Sequence, residues 1–220
     1  PPRQLSVGQL MELVLLEERI YARTKQIKPC LQNEDIPEEH TLLGKAQLKK
    51  LRNTIIENTK PWTVIANQVP FTGYNKVDSL FNFSYQDWWL GYPDDRKEVV
   101  NALKEAKNKP IILTGDHHRS MVMGLFNDDL GPCEPFYTTG YREEKPLAWE
   151  ILVPSITSQN HDVYQEDIVK DYTKKILDED NNPHIRFADL SSHGFVIMHF
   201  TPKEVSAEYI FMNTIKRVDS

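Results

Sequence analysis

Short runs of apolar and β-branched residues recur along the chain, and turn residues bound most of them, which is the pattern of buried strands. The last two runs flank Thr201-Pro202-Lys203-Glu204 and predict a hairpin, since the second of them also alternates strictly. The runs that predict strands are WTVIANQV (62–69), KPIILTGD (109–116), MVMGLF (121–126), AWEILVP (148–154), FVIMHF (195–200) and VSAEYIF (205–211).

Three other stretches space their apolar residues three and four apart, which is typical of helices that bury one face. They predict helices over about 44–59, from Pro93 onward, and within 164–179. Residues 10–23 fit either a helix or a buried strand, and residues 28–41 predict a loop. Strands and helices alternate first and strands then dominate, so we expect an α/β or α+β fold built on sheets. The apolar faces are Leu48, Leu51 and Ile55; Val99, Leu103 and Ala106; and Val169, Tyr172 and Ile176.

Composition narrows the function classes only slightly. A chain of 220 residues can form one domain or two small ones. The net charge of −6 argues against specific nucleic-acid binding, because phosphate backbones are bound by basic faces, but it does not exclude a phosphorylated substrate. Cys30 and Cys133 are too few for a disulfide framework or a zinc cluster. The chain opens PPRQLSVGQL, without a methionine or a signal pattern, so we expect a processed, trimmed or partial chain.

The strongest candidate chemistry follows the strand run at 111–114, where the sequence continues G-D-H-H-R-S. Aspartate and histidine are ligand types that metals use readily, and open sheets bind their ligands at the carboxyl ends of strands. We therefore expect Asp116 and His118 to bind a metal, with Gly115 permitting a tight turn. A D-x-H pair also arises by chance, so an ordinary polar turn remains the alternative.

Several motifs together resemble one family. T-G-D-H-H-R-S (114–120) resembles the closing G-D-x-H motif of the PhoD-like alkaline phosphatase and phosphodiesterase family, within the calcineurin-like metallophosphoesterases. The resemblance spans nearly the whole chain, and it rests on the order and spacing of the motifs rather than on any single one. The other motifs that resemble the family are L-L-E-E-R (15–19), L-L-G-K-A-Q-L (42–48), W-T-V-I-A-N-Q-V (62–69), D-W-W-L-G-Y-P-D-D-R (87–96), W-E-I-L-V-P-S-I-T-S (149–158) and N-P-H-I-R-F (182–187).

The resemblance implies a fold and an activity. The expected fold is α/β, half of a four-layer α/β/β/α metallophosphoesterase sandwich, with residues 1–220 as the C-terminal portion of that domain. The expected activity is metal-dependent hydrolysis of phosphomonoesters or phosphodiesters, with iron and calcium as cofactors, although zinc or manganese would serve the same mechanism. The expected location is extracytoplasmic. The family's earlier metal motifs do not occur in residues 1–60, so we expect an upstream half, on this or another chain, to supply them.

The resemblance also suggests roles for particular residues. Gln68 occupies the place of a metal-binding histidine in related enzymes, and capping a strand end is its alternative role. His117 is expected to orient the phosphate or protonate the leaving oxygen, since imidazole titrates near neutrality. Four further residues are candidate substrate contacts, namely Arg96, Asn160, Asn182 and His184. Arg96 could instead pair with Asp95, and Asn160 could simply belong to a polar loop.

The expected partner is a phosphate-ester small molecule or a phosphorylated polymer or lipid. The rival hypothesis is a non-catalytic interaction or structural module that kept the sheet and lacks a complete metal site. The two hypotheses differ in whether further metal ligands complete the site that Asp116 and His118 begin.

Overall fold

The computed structural model describes residues 3–26, 37, 39–75, 87–127, 145–213 and 215. Within these residues the chain forms nine strands and three α-helices, with short 3-10 helices at Trp89–Gly91 and His161–Val163. The strands are β1 (Arg3–Val7), β2 (Met11–Leu15), β3 (Trp62–Asn67), β4 (Ile111–Thr114), β5 (Ser120–Leu125), β6 (Ala148–Leu152), β7 (Ile185–Asp189), β8 (Gly194–Phe200) and β9 (Val205–Phe211). The helices are α1 (Gly44–Glu57), α2 (Pro93–Glu105) and α3 (Glu166–Ile176).

Seven strands form one mixed sheet in the order β1-β2-β3-β4-β6-β5-β7. The central strands β2, β3, β4 and β6 run parallel, and antiparallel strands flank them on both sides. Parallel strands are covered on both faces, which explains why β3 and β4 read as nearly continuous apolar runs. Because the four central strands point the same way, the segments that follow them all emerge at one edge of the sheet. We call this edge the carboxyl edge.

Helices α1 and α2 pack against each other, and one carboxylate joins their ends. Asp95, in the first turn of α2, accepts hydrogen bonds at Oδ2 from the backbone N–H groups of Leu42 and Leu43 and from the Thr41 hydroxyl. These donors lie directly before α1. Asp95, at the start of α2, therefore holds the start of α1 in place. Pro93 begins α2, a position that needs no N–H donor. Asp95 is thus committed to this junction.

Strands β8 and β9 form a separate two-stranded sheet that contacts the main sheet. The hydroxyl of Tyr209 donates to the carbonyls of Met121 and Leu152, which belong to neighbouring strands β5 and β6. The indole N–H of Trp62 donates to the carbonyl of Thr201 in the hairpin turn, at 2.6 Å. These bonds tether the hairpin at both ends.

The predicted strands and helices are confirmed in position, and the mixed α/β class with them. Within the ambiguous segment 10–23, residues Met11–Leu15 form strand β2, which pairs with β1 on one side and β3 on the other. Strands β1 and β7 were not predicted. Cys30 and Cys133 lie outside the described residues. Across the described ranges, none of the helices has the length and apolar character needed to cross a membrane.

Candidate functional site

The turn after β4 is built on two left-handed residues. Asp116 has φ +63° and His118 has φ +62°, while the N–H of His117 donates to the carbonyl of Gly115 at 2.7 Å. Aspartate and histidine tolerate this conformation better than most residues. The expectation that Gly115 permits the turn is wrong, since the positive φ angles fall on Asp116 and His118 and not on Gly115. The turn leaves Asp116 exposed and buries His117.

Asp116 is held through one of its two carboxylate oxygens. Its Oδ1 accepts a hydrogen bond from Nη2 of Arg19 at 2.7 Å, and the side chain is 39% exposed. Arg19 follows β2 in the same edge, and its Nη1 binds Asp87 at 2.7–2.8 Å. Within the described part of the chain, Oδ2 of Asp116 makes no hydrogen bond. That oxygen is therefore available to an incoming ligand.

His118 is held through one of its two ring nitrogens. Its Nδ1 lies 2.8 Å from the carbonyl oxygen of Gln159, which follows β6. A carbonyl only accepts, so Nδ1 carries the proton and Nε2 carries the lone pair. A backbone carbonyl on the opposite ring nitrogen is the usual support of a metal-binding imidazole. Nε2 makes no hydrogen bond among the residues that the structure describes.

Gln68 is engaged at its side-chain oxygen. Oε1 accepts a hydrogen bond from the backbone N–H of Glu18 at 2.6 Å, and the Gln68 N–H donates back to Oε2 of Glu18 at 2.8 Å. The pair ties the ends of β2 and β3 together, which matches the strand-end role. Metal binding by Gln68 stays a prediction, and it would require the same oxygen to serve two partners.

Glu18 is a buried carboxyl group beneath this edge, and no sequence pattern singled it out. Oε2 also accepts from the N–H of Val69, and Oε1 accepts from the indole N–H of Trp89 at 3.1 Å. Burial raises the pKa of Glu18 to about 8, while the three N–H donors oppose that rise by favouring the carboxylate. Glu18 therefore joins the segments after β2 and β3 to the 3-10 helix at Trp89.

His117 lies inside a cluster of rings rather than in solvent. Its Nε2 is 3.2 Å from the Tyr74 hydroxyl, and Nη1 of Arg119 lies 3.2–3.3 Å from its ring nitrogens. Burial, followed by the Arg119 charge, holds the pKa of His117 well below 6.5. The expectation that this ring titrates near neutrality is therefore wrong, and the folded protein keeps it neutral. Its catalytic role stays a prediction that a neutral imidazole must satisfy.

A second histidine extends this cluster and was not predicted. The ring of His161 packs against Tyr164 and Tyr172, with ring centroids 5.7 and 5.6 Å away. Burial, and after it the charge of Arg119, lowers the pKa of His161 to about 3. The cluster draws on the β4 turn, the segment after β6 and helix α3, so sequence spacing offers no signal for it.

All four predicted substrate contacts are buried, and three of them support the segment that follows β3. Arg96 donates from Nε to the carbonyl of Phe71 at 3.2 Å and lies over the Phe71 ring. Asn182 accepts from the N–H of Asn75 and donates to its carbonyl. Nε2 of His184 lies 2.8 Å from the carbonyl of Gly73. These contacts fix residues 71–75, and a direct contact with substrate stays a prediction for each.

Asn160, the fourth, caps the 3-10 helix at His161–Val163. Its Oδ1 accepts from the N–H of Asp162 at 2.8 Å, and its Nδ2 donates to the carbonyl of Ser192 at 3.2 Å. It adjoins Gln159, whose carbonyl orients His118. Asn160 thus stabilises the loop that supports a predicted ligand, and its contact with substrate is likewise untested.

The described residues offer two candidate metal ligands, Asp116 and His118. No group of three or more histidine, cysteine, aspartate or glutamate side chains suited to a metal ion occurs among the described residues. Asp116 and His118 nevertheless fit the chemistry, because each offers an unengaged acceptor while a second atom is held in place. Further ligands would have to come from elsewhere.

The comparisons with known proteins agree on one family. The sequence model described as PhoD-like phosphatase matches residues 2–209. Alkaline phosphatase D of Bacillus subtilis (strain 168) is 32% identical over 215 residues, which are 96% of this chain and 34% of that protein. The solved structure of PhoD has a TM-score of 0.74 and 28% identity, and the match covers 98% of this chain and 39% of that one. The chain thus spans about a third of the length of its curated relative.

The matched residues include the β4 turn with Asp116 and His118 and all four parallel strands that form the carboxyl edge. The chain belongs to the PhoD-like phosphatase family.

Proposed function

We propose that this chain supplies part of the active site of a metal-dependent phosphoester hydrolase. The observation that carries the proposal is the β4 turn. There Oδ2 of Asp116 and Nε2 of His118 make no hydrogen bond with the described residues, while Oδ1 and Nδ1 of the same side chains are hydrogen-bonded. Membership of the PhoD-like phosphatase family supports phosphoester hydrolysis as the reaction. The substrate is a phosphomonoester or phosphodiester, either a small molecule or a phosphorylated polymer or lipid.

The residues of the β4 turn and their hydrogen-bond partners have different roles in this proposal. Asp116 and His118 would hold the metal, by resemblance iron with calcium, with zinc or manganese as substitutes. A bound cation lowers the pKa of water and offsets the negative charge that develops on the phosphoryl oxygens. Arg19 keeps Asp116 in place, and the Gln159 carbonyl keeps His118 in the tautomer with its lone pair on Nε2. His117 remains neutral beside them, so any role in orienting phosphate uses its N–H group rather than a charge.

Two side chains do not complete a two-metal shell. We therefore propose that the remaining ligands come from a further part of the catalytic domain, on this or another polypeptide, with residues 1–220 as the C-terminal portion. In the complete domain, the β8–β9 hairpin would belong to the second sheet of a four-layer sandwich. An extracytoplasmic location is part of the proposal. The non-catalytic module is not favoured, because the β4 turn keeps both unengaged acceptors.

The test is hydrolysis of p-nitrophenyl phosphate and bis(p-nitrophenyl) phosphate by the natively purified protein, before and after chelation. His118→Ala is compared with His199→Ala, a matched change of an exposed histidine on the β8–β9 hairpin. Loss of a supporting partner of a metal ligand costs about 10–100-fold, so loss of the ligand itself should lower the rate by at least about 100-fold. His199→Ala should retain the wild-type rate.

A complete catalytic domain, containing this chain and the further part, that hydrolyses neither ester would contradict the proposal. So would a His118→Ala variant as active as His199→Ala. The ratio of the two rates in the wild-type protein decides between monoesterase and diesterase.

A further inference from the structure

Asp87 forms ion pairs with two arginines, Arg19 and Arg23, whereas a simple surface ion pair has one. Its carboxylate accepts hydrogen bonds from Nη1 of Arg19, from Nη2 of Arg23 at 2.6 Å and from the side-chain amide of Gln26 at 2.5 Å. Asp87 lies 68 residues from Arg19 in the chain, so the tertiary fold creates this cluster. We call Asp87, Arg19 and Arg23 the Asp87 cluster.

Arg23 anchors the Asp87 cluster from the protein side. Its side chain is 7% exposed, and its Nε donates to the Tyr92 hydroxyl at 3.0 Å. Nη2 also donates to the backbone carbonyl of Asp87 at 3.0 Å, so both the main chain and the side chain of Asp87 are fixed. The guanidinium lies over the Tyr92 ring, 5.2 Å from its centroid. Asp87 is therefore held by contacts with Arg23 that do not involve Arg19.

Arg19 divides its two terminal nitrogens between two carboxylates. Nη1 binds Asp87 and Nη2 binds Oδ1 of Asp116, both at 2.7 Å at the closest approach. A guanidinium without a second carboxylate partner frequently pairs with one carboxylate through two of its nitrogens, since that geometry matches both oxygens. Because Asp87 holds Nη1, Arg19 engages one oxygen of Asp116 and leaves Oδ2 open.

We infer that Asp87 is a positioning residue, which restrains Arg19 so that Asp116 keeps an oxygen for a metal ion. The inference rests on the proposed function, since it takes Asp116 as a metal ligand. Without the Asp87 charge, Arg19 swings onto Asp116 with both nitrogens and competes with the metal. Arg19 therefore supports metal binding by Asp116 when Asp87 is present and inhibits it when Asp87 is absent.

The experiment measures the rate at which a chelator removes metal from the natively purified protein. Asp87→Asn removes the charge and keeps the shape, and Asp87→Ser, measured in parallel, removes it with a smaller side chain. We expect both to release metal about tenfold faster, the cost of losing an outer partner of a metal ligand. Glu98→Gln is the matched control, since it breaks an exposed arginine–carboxylate pair with Arg52, a 2.6 Å contact between α1 and α2.

The decisive comparison adds Arg19→Gln to Asp87→Asn. If Arg19 is the competitor, the double variant releases metal more slowly than Asp87→Asn alone, which a role in folding alone would not produce. A double variant as fast as Asp87→Asn, or faster, would overturn the inference. So would Asp87 variants that behave like Glu98→Gln. A wild-type protein that holds no metal would overturn the proposed function itself, and the inference with it.

Discussion

At the scale of single residues, the site depends on a conformation that non-glycine residues adopt rarely. Left-handed backbone at Asp116 and His118 costs about 1–3 kcal/mol each and persists when surrounding contacts hold it. Those contacts come from Arg19, which lies 97 residues from Asp116, and from Gln159, which lies 41 residues from His118. The sequence indicated the turn and its chemistry, because both are local. It could not indicate the two supports, because only the fold brings them there.

Glu18 offers a test of the polar junction below the carboxyl edge. Replacing it with glutamine keeps the volume but puts an NH2 group in place of one carboxyl oxygen, either Oε2, which accepts from Gln68 and Val69, or Oε1, which accepts from Trp89. We expect Glu18→Gln to lower the free energy of unfolding by about 1–3 kcal/mol, because a buried donor then lacks an acceptor. Urea denaturation measures this change. Glu57→Gln, at the exposed end of α1, should change it by less than about 0.5 kcal/mol.

His161 predicts how stability responds to acid. Its pKa is about 3 in the folded protein and near 6.5 when unfolded, so between these values the unfolded chain binds a proton that the folded chain excludes. Its contribution is complete above pH 6.5 and is lost as the pH falls towards 3. When the pH is lowered from about 7.5 to about 5, we expect the free energy of unfolding to fall less in His161→Phe than in the wild type. The change in urea midpoint between the two pH values measures this difference.

The matched control for His161 is His199→Phe, on the exposed hairpin. It should show the same acid-induced change as the wild type. An acid response of His161→Phe equal to that of His199→Phe would contradict the lowered pKa.

At the scale of elements, the pattern of apolar positions predicted the three α-helices and six of the nine strands among the described residues, because each buries an apolar face or run. Strands β1 and β7 were not predicted, and there is a physical reason for this. Each is five residues long with charged or polar positions, and each lies at an outer edge of the sheet, where a single neighbour holds it. Segment 10–23 was undecided for a related reason, since the partners of β2 rather than its own pattern make it a strand.

The β8–β9 hairpin gives an element-scale prediction at Gly194, the first residue of β8. Its φ is +157°, and a Cβ there would lie 1.9 Å from the carbonyl oxygen of Ile210. We expect Gly194→Ala to lower the free energy of unfolding by more than about 1 kcal/mol and to speed amide exchange in β9. Thermal unfolding and hydrogen exchange measure the two effects.

Gly115→Ala is the matched control for this prediction. A Cβ at Gly115 would meet nothing within 4 Å, and its φ is not positive. The change should shift stability by less than about 0.5 kcal/mol, although this glycine lies beside the candidate site. Equal effects at the two glycines would contradict the packing described for the hairpin.

At the scale of the whole molecule, the parallel order of β2, β3, β4 and β6 is what gathers the candidate residues. It delivers Arg19, Gln68, Asp116 and the Gln159 loop to one edge, although they are spread over most of the chain. The family resemblance predicted that Gln68 and Asp116 share a site, but it did not predict the contributions of Arg19 and the Gln159 loop; the family membership bears out the resemblance itself. The contacts of Arg96, Asn182 and His184 with residues 71–75 did not follow from motif matching, because a motif does not distinguish a residue that supports a loop from one that contacts substrate.

The central claim is that the β4 turn binds metal, and metal content tests it most directly. The natively purified protein and its Asp116→Asn variant are compared by plasma mass spectrometry, since asparagine also tolerates left-handed backbone but lacks the charge. We predict that the wild-type protein retains metal, iron among it, and that Asp116→Asn retains less. Equal metal content in the two proteins, or none in the wild type, would contradict the claim.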